Sequence, residues 1–230
     1  MTFSVNGITA IIPVKRFAVA KQRLACVLSP DERARLAEAM LSDVLTALRP
    51  LPQLTDIVLV TAESAAAEIG RGFCARTVAD QLEAGVNIAV LQGLDSLRPA
   101  GGPVAVIAAD VPFATSDDIT AAFALLRHDP IVLAPAETDA GTNLLAMRRA
   151  GMIEPSFGER SFVQHRDLAH AAKLSCGICR PGGLRHDIDR PSDLIVPVGS
   201  AATRTGALLQ RFNIATRLGG QVEPPQPILH

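Results

Sequence analysis

The stretch Val104-Ala-Val-Ile-Ala-Ala109, followed at once by Asp110-Val-Pro112, decides the fold. A continuous apolar run with no polar alternate describes a strand covered on both faces. Strands of that kind belong to parallel sheets flanked by helices. Working outward, Ile8-Thr-Ala-Ile-Ile12 is a second buried strand, which Pro13 is expected to end. Residues 56–61 (DIVLVT), 131–134 and 175–179 read as further strands. Helices alternate with them. Ser29-Pro-Asp-Glu32 is a strong helix start, with Ser29 at the N-cap, Pro30 at N1 and Glu32 at N3, and Pro50 closes that helix. Thr115 with Asp118, and Ser161 with Gln164, are read as two more capping boxes, opening helices that run to about Arg127 and Lys173. The alternation predicts a three-layer α/β/α fold with a mostly parallel sheet. From Gly199 the texture changes: a short amphipathic stretch leads into Gly219-Gly220 and a proline-rich end. The expected organisation is one domain over 1–198 and a C-terminal appendage or flexible tail over 199–230.

Composition excludes several function classes. Hydrophobic residues make up 48% of the 230, so a disordered chain is not expected. Aromatics make up 3%, all Phe, which argues against a stacking platform for single-stranded nucleic acid. The formal charge of −1 provides no global field toward DNA or anionic lipid. No stretch reaches the roughly 18 consecutive apolar residues of a membrane span, and the N-terminal run is broken by Pro13, Lys15 and Arg16, unlike a signal peptide. A cytoplasmic location is expected. Cys176-Gly-Ile-Cys179 has redox spacing but lies in a strand-like run, so ordinary buried thiols are the reading.

In an open α/β sheet ligands bind beyond the carboxyl ends of the strands, and four segments fall there. The loop after the first strand carries Lys15, Arg16, Lys21 and Arg23, with no acidic residue before Asp31. Such a loop suits a polyphosphate, though a solvated basic loop has the same composition. Asp110 ends the most buried strand, where a carboxylate can hold Mg²⁺ or simply form a turn. Gly141-Thr-Asn143 and Phe157-Gly-Glu-Arg-Ser-Phe162 bring a glycine-bearing loop to a helix start, a small-anion site or a plain cap. Asp187 and Asp189 share one face of an extended segment, so their repulsion calls for a cation, whether Mg²⁺, Arg185 or Arg190. Basic loop, strand-end Asp, anion cap and paired Asp together suit nucleotidyl transfer. No Gly-x-Ser-x-Gly elbow or Cys–His pair points to a hydrolase.

At these residues the chain resembles the 2-phospho-L-lactate guanylyltransferases, relatives of the molybdenum-cofactor guanylyltransferases. The stretches are Ile12-Pro-Val-Lys15, Ala20-Lys-Gln-Arg-Leu24, Leu28-Ser-Pro-Asp-Glu-Arg33, Gly85-Val-Asn87, Ala109-Asp-Val-Pro112, Gly141-Thr-Asn143, Phe157 to Phe162 and Asp187-Ile-Asp-Arg-Pro-Ser-Asp193. They follow family order across roughly residues 8–195. The resemblance implies a Rossmann-like nucleotidyltransferase (glycosyltransferase-A-like) fold. It implies a Mg²⁺-dependent enzyme that moves GMP from GTP onto the phosphate of 2-phospho-L-lactate, phosphoenolpyruvate or 3-phospho-D-glycerate, releasing pyrophosphate, in coenzyme F-420 biosynthesis. By position, Thr142, Gly158 and Ser161 would bind the acceptor. Asp110, Asp187 and Asp189 would hold Mg²⁺. Lys15, Lys21 and Arg23 would steady the GTP phosphates, with Lys15, Lys21, Arg23 and Asp110 as the catalytic set, and Asn87 would contact the nucleotide. The sequence departs from the family at Leu82-Glu-Ala-Gly85, where many relatives are richer in glycine, a place that bears on base or ribose contact. The implied partners are GTP and a small phosphorylated acid, not nucleic acid or membrane, with homodimerisation left open. Two alternatives stand beside this reading: a nucleotidyltransferase for another phosphorylated acceptor, such as a molybdenum cofactor, and a non-catalytic nucleotide-binding module.

Overall fold

The computed structural model describes residues 6–97, 101–138, 140–196 and 199–219. Seven strands form one sheet: β1 (Ile8–Val14), β2 (Leu54–Thr61), β3 (Arg76–Ala79), β4 (Val104–Ile107), β5 (Ile131–Pro135), β6 (Thr142–Met147) and β7 (Cys176–Ile178). Their order across the sheet is β3-β2-β1-β4-β6-β5-β7. Every pairing is parallel except those of β6, which runs antiparallel to both β4 and β5. The helices are α1 (Pro30–Leu48), α2 (Ser64–Gly72), α3 (Val86–Asp95), α4 (Ser116–Leu125), α5 (Ser161–Ala171), α6 (Gly182–Arg185), α7 (Arg204–Arg211) and α8 (Ile214–Gly219).

The buried run that decides the fold behaves as its composition demands. Ala105 and Ile107 face one hydrophobic core together with Leu36, Met40 and Leu41 of α1 and Phe123 of α4. Val104 and Val106 face the other, with Ala89 and Val90 of α3 and Phe162 and Ala169 of α5. Side chains alternate along a strand, so an apolar residue at every position means apolar cover on both faces. Full burial of one such aliphatic side chain contributes about 1.5–3 kcal/mol, which is why no polar alternate survives here. At Gly93 a Cβ would stand 2.7 Å from Ile11 Cγ2, so α3 can lie on β1 only with glycine there.

Pro13 does not end β1. The strand runs on to Val14, with Pro13 paired in register to Val60 of β2. Pairing with β4 stops at Ile11, so beyond that residue a missing N–H on the β4 side costs nothing. The Ser29–Glu32 and Thr115–Asp118 capping boxes form as read. The third does not. Arg160, in the left-handed region at φ 57, is the N-cap of α5 without a side-chain cap bond, and Ser161 is already inside the helix. Cys176 is on β7, and burial pushes its thiol up to about 11 and that of Cys179 upward, opposite to a redox thiol.

Part of the 199–230 segment can be followed. Leu209, Phe212 and Ile214 are buried in the core that α1 lines. The Asp43 carboxylate of α1 accepts the N–H groups of Arg204 (2.9 Å) and Thr205 (2.8 Å), and Thr203 Oγ1 accepts that of Gly206. The first turn of α7 is therefore satisfied by α1. Residues 220–230 lie outside the described residues.

Candidate functional site

The carboxyl ends of β1, β2, β3 and β4 open on one edge of the sheet, and the antiparallel β6 starts there. A cleft of about 720 Å³ occupies that edge, a size suited to a small ligand. Sheet order fixes its layout. The loops after β3 and β2 bring Asp80, Glu83 and Ala62 to one end. The loops after β1 and β4 bring Lys15, Lys21, Arg23 and Asp110 to the middle. Thr142 at the start of β6, with Gly158 and Ser161, forms the other end, beside Asp187 and Asp189. Of the ten residues singled out in sequence, Asn87 alone is absent from the lining. Its side chain clasps a backbone instead: Phe157 N–H donates to Oδ1 (2.6 Å) and Nδ2 donates to the Phe157 carbonyl (3.1 Å), which fixes the loop before Ser161.

In the middle, opposite charges meet across 89 residues. Lys21, at φ 54, is held in the left-handed region, and its ammonium lies 2.5 Å from Asp110 Oδ2 and 3.8 Å from Asp189 Oδ1. Arg23 Nη1 lies 2.5 Å from Asp189 Oδ2. Lys21 and Arg23 thus neutralise Asp110 and Asp189, in place of the Arg185 or Arg190 considered from sequence; Arg185 pairs with Glu137. Backbone bonds hold the carboxylates. Ile188 N–H donates to the Asp110 carbonyl, and the buried Asp193 takes the N–H groups of Asp189 (3.0 Å) and Arg190 (2.7 Å) on one oxygen. Asp187 accepts from the buried amide of Asn143 (3.2 Å). The basic loop itself is pinned by Glu63, which accepts the Phe17 N–H.

Among the described residues no three His, Cys, Asp or Glu side chains are arranged as a metal cage. Mg²⁺ is ordinarily held by one or two carboxylates plus substrate phosphates rather than by an all-protein cage. Asp110 and Asp189 already converge on one cationic nitrogen, so the donor set fits such an ion.

At the Thr142 end the expected anion site takes another form. The early N–H groups of α5 are engaged: Ser161 to Gly158, Phe162 to Ala140, Val163 and Gln164 to Arg160. Gly158 has φ 134, and a Cβ there would meet nothing within 4 Å, so conformation and not crowding calls for glycine. Hydroxyls remain. Ser161 Oγ donates to Thr142 Oγ1 (3.3 Å), and both residues are buried. His165, not singled out in sequence, completes the group. Its Nε2 accepts the Ser156 N–H (2.9 Å), so the proton sits on Nδ1, 3.0 Å from Thr142 Oγ1. Burial pushes His165 down to about 4, keeping it neutral. With Thr142 Oγ1 accepting from two sides, its own proton is available to donate to an anion. The spacing of Ser161 and His165, one helical turn apart, is the sequence signal that links them.

Comparisons with known proteins place the chain in a family. The family described as Guanylyl transferase CofC like matches residues 8–217, which takes in the stretch after Gly199 left outside the resemblance above. Over 205 residues the chain is 38% identical to a phosphoenolpyruvate guanylyltransferase of Sphaerobacter thermophilus, covering 86% of this chain and 98% of that protein. It is 36% identical over 205 residues to a 3-phospho-D-glycerate guanylyltransferase of Phenylobacterium zucineum, covering 87% and 94%. Among solved structures, a candidate nucleotide-diphospho-sugar transferase from Desulfovibrio desulfuricans superposes with a TM-score of 0.71 at 18% identity, covering 95% of this chain and all of that one (100%). A nucleotidyl transferase from Methanothermobacter gives 0.56 at 14% identity, covering 91% and 99%. The fold is therefore the nucleotidyltransferase, glycosyltransferase-A-like one, and the chain belongs to the CofC-like guanylyl transferase family.

Proposed function

We propose that this protein transfers GMP from GTP to the phosphate of a three-carbon phospho-acid, releasing pyrophosphate, in the making of coenzyme F-420. The acid is phosphoenolpyruvate, 3-phospho-D-glycerate or 2-phospho-L-lactate, and the relatives named for the first two support that class. One observation carries the reading: a cation pair and an acidic set meet in one cleft, next to a pair of buried hydroxyls.

The residues divide the work by charge. Lys15, Lys21 and Arg23 meet the triphosphate, the first from an exposed position with no ion pair among the described residues. Thr142 donates a hydroxyl hydrogen bond to the acceptor, and Ser161, whose own proton goes to Thr142 Oγ1, orients that hydroxyl, beside a loop shaped by Gly158 and held by Asn87. Asp110 and Asp189, with Asp187 beside them and together with substrate phosphates, would hold Mg²⁺, which when bound offsets the charge of both anionic reactants and of the departing pyrophosphate. An acceptor phosphate oxygen forms the new bond to the α-phosphorus, and the bond from that phosphorus to the bridging oxygen breaks. No general base is required, because a phosphate monoester is already ionised near neutral pH. The acidic set stands against a purely nucleotide-sensing role, which needs no metal at the α-phosphate. The cell compartment proposed is the cytoplasm, and among the described residues no helix is long and apolar enough to cross a membrane.

The deciding assay measures pyrophosphate release from each of the four nucleoside triphosphates with each of the three acids. Release specific to GTP and one of these acids is expected. Release from another triphosphate, or none with any of the acids, overturns the reading.

A further inference from the structure

The loop after β3, Leu82-Glu-Ala-Gly85, holds an ion pair that the proposed reaction does not use. Arg16 Nε donates to Glu83 Oε2 at 2.7 Å, and Arg16 Nη2 donates to Glu83 Oε1 at 2.8 Å. The contact is a two-pronged fork between residues 67 apart, joining the basic loop to the loop after β3. Both side chains line the cleft at the end opposite Thr142 and Ser161.

Three features mark Glu83 as more than a surface charge. Its backbone sits at φ 45, in the left-handed region that glycine occupies freely and a glutamate does not. An outlier of this kind is a pointer to function. Next, the loop is built to present it: Asp80 Oδ1 accepts the Glu83 N–H (3.0 Å) and Gln92 Nε2 (3.2 Å), so Asp80 is committed to shaping the turn. Lastly, the partner is replaceable. Arg16 and Glu83 are about half open to solvent, at 49% and 47%, and such pairs add little to stability.

A guanidinium fork presents two parallel N–H groups to a carboxylate. The edge of guanine that carries N1–H and the 2-amino group presents the same pattern. Adenine presents an acceptor nitrogen at the corresponding ring position, which a carboxylate repels. The acceptor acid belongs at the hydroxyl end and the phosphates at the basic middle, so the base of a bound nucleotide falls at the Glu83 end. Aromatic cover in the cleft is limited to Phe17 and Phe157, so polar contacts must supply the discrimination. We propose that Glu83 reads the guanine base: its carboxylate accepts guanine N1–H and the 2-amino group in the place Arg16 holds in the free enzyme. This assignment rests on the guanylyltransferase reading above.

The test compares GTP with inosine triphosphate, which keeps N1–H and lacks the 2-amino group, in the parent enzyme and in Glu83→Gln. The exposed, nearly isosteric change leaves the Asp80 contact to the Glu83 backbone in place, and an unchanged melting temperature checks the fold. The parent is expected to prefer GTP by about ten- to a hundredfold in kcat/KM. In Glu83→Gln that preference should shrink to within a few-fold, mainly through loss of GTP activity. A parent that uses both nucleotides equally, or a variant that keeps the parental ratio, overturns the assignment while the guanylyltransferase reading stands. A parent that makes product from another triphosphate and not from GTP overturns both.

Discussion

The Lys21 ammonium lies 2.5 Å from Asp110 Oδ2, and the lysine side chain is only 9% exposed. A left-handed backbone delivers the cation from the first loop to a carboxylate at the end of β4. The contact joins the two halves of the chain's charge segregation: the uncompensated cations that precede Asp31 and the carboxylates that come much later.

If Asp110 works on the reacting phosphates, Asp110→Asn removes most activity. We expect kcat to fall at least about a hundredfold. The melting temperature should stay within about 2 °C, since Lys21 keeps Asp189 as a partner. Steady-state kinetics and a thermal melt on the same preparation check both. Parental kcat in the variant would refute the role given to Asp110.

Ser161→Ala separates the two ends of the cleft. The Ser161 hydroxyl is buried against Thr142, far in sheet order from the Glu83 end. Loss of the hydrogen bond that turns the Thr142 hydroxyl toward the anion should raise the acceptor KM about five- to tenfold. The GTP KM should change less than about twofold. Equal rises in both constants would remove the acceptor assignment.

His165 predicts an acid-sensitive fold. Its folded value, about 4, lies below the ordinary 6.5 because burial disfavours the charged ring. Below pH 6.5 the unfolded chain takes up a proton that the folded chain refuses. The stability this group provides is thus whole above 6.5 and is lost as pH falls toward 4, by about 3 kcal/mol. Denaturant melts of the parent and of His165→Asn across pH 7 to 4 test this. The variant should lose less stability over that interval, and parallel curves would contradict the account.

Asp43→Ala addresses the C-terminal segment. Removing the carboxylate strands the Arg204 and Thr205 N–H groups at the start of α7. Thr205 is fully buried, so water cannot replace the lost acceptor there. A loss of about 1–3 kcal/mol in unfolding free energy is expected, with kcat/KM within about twofold of the parent. An unchanged denaturation midpoint would show that the docking contributes nothing.

The fold was legible where its determinants are local. The run at 104–109 and the caps at Ser29 and Thr115 need only neighbours in sequence to be read. Strand β6 was not legible, because Leu144, Leu145, Ala146 and Met147 are helix-favouring residues. Its identity comes from pairing with β4 and β5, not from its own residues. Pro13 misled for the same reason, since its tolerance depends on where the neighbouring strand stops. In the site, charge composition pointed to the basic loop and the aspartates, but not to which cation faces which carboxylate. Ser161 shows the remaining gap. Local pattern read it as a cap, whereas Arg160 takes the cap position at φ 57 and frees the serine hydroxyl for Thr142.

The central claim is that the α-phosphorus of GTP ends up joined to the acceptor's phosphate. GTP labelled with radioactive phosphorus at the α position, incubated with Mg²⁺ and the active acid, tests it directly. The account predicts that the label appears in a product containing both the guanosine and the acid, linked through a diphosphate, while the released pyrophosphate carries none. Label in the released pyrophosphate, or label that stays with guanosine in a product lacking the acid, would contradict it.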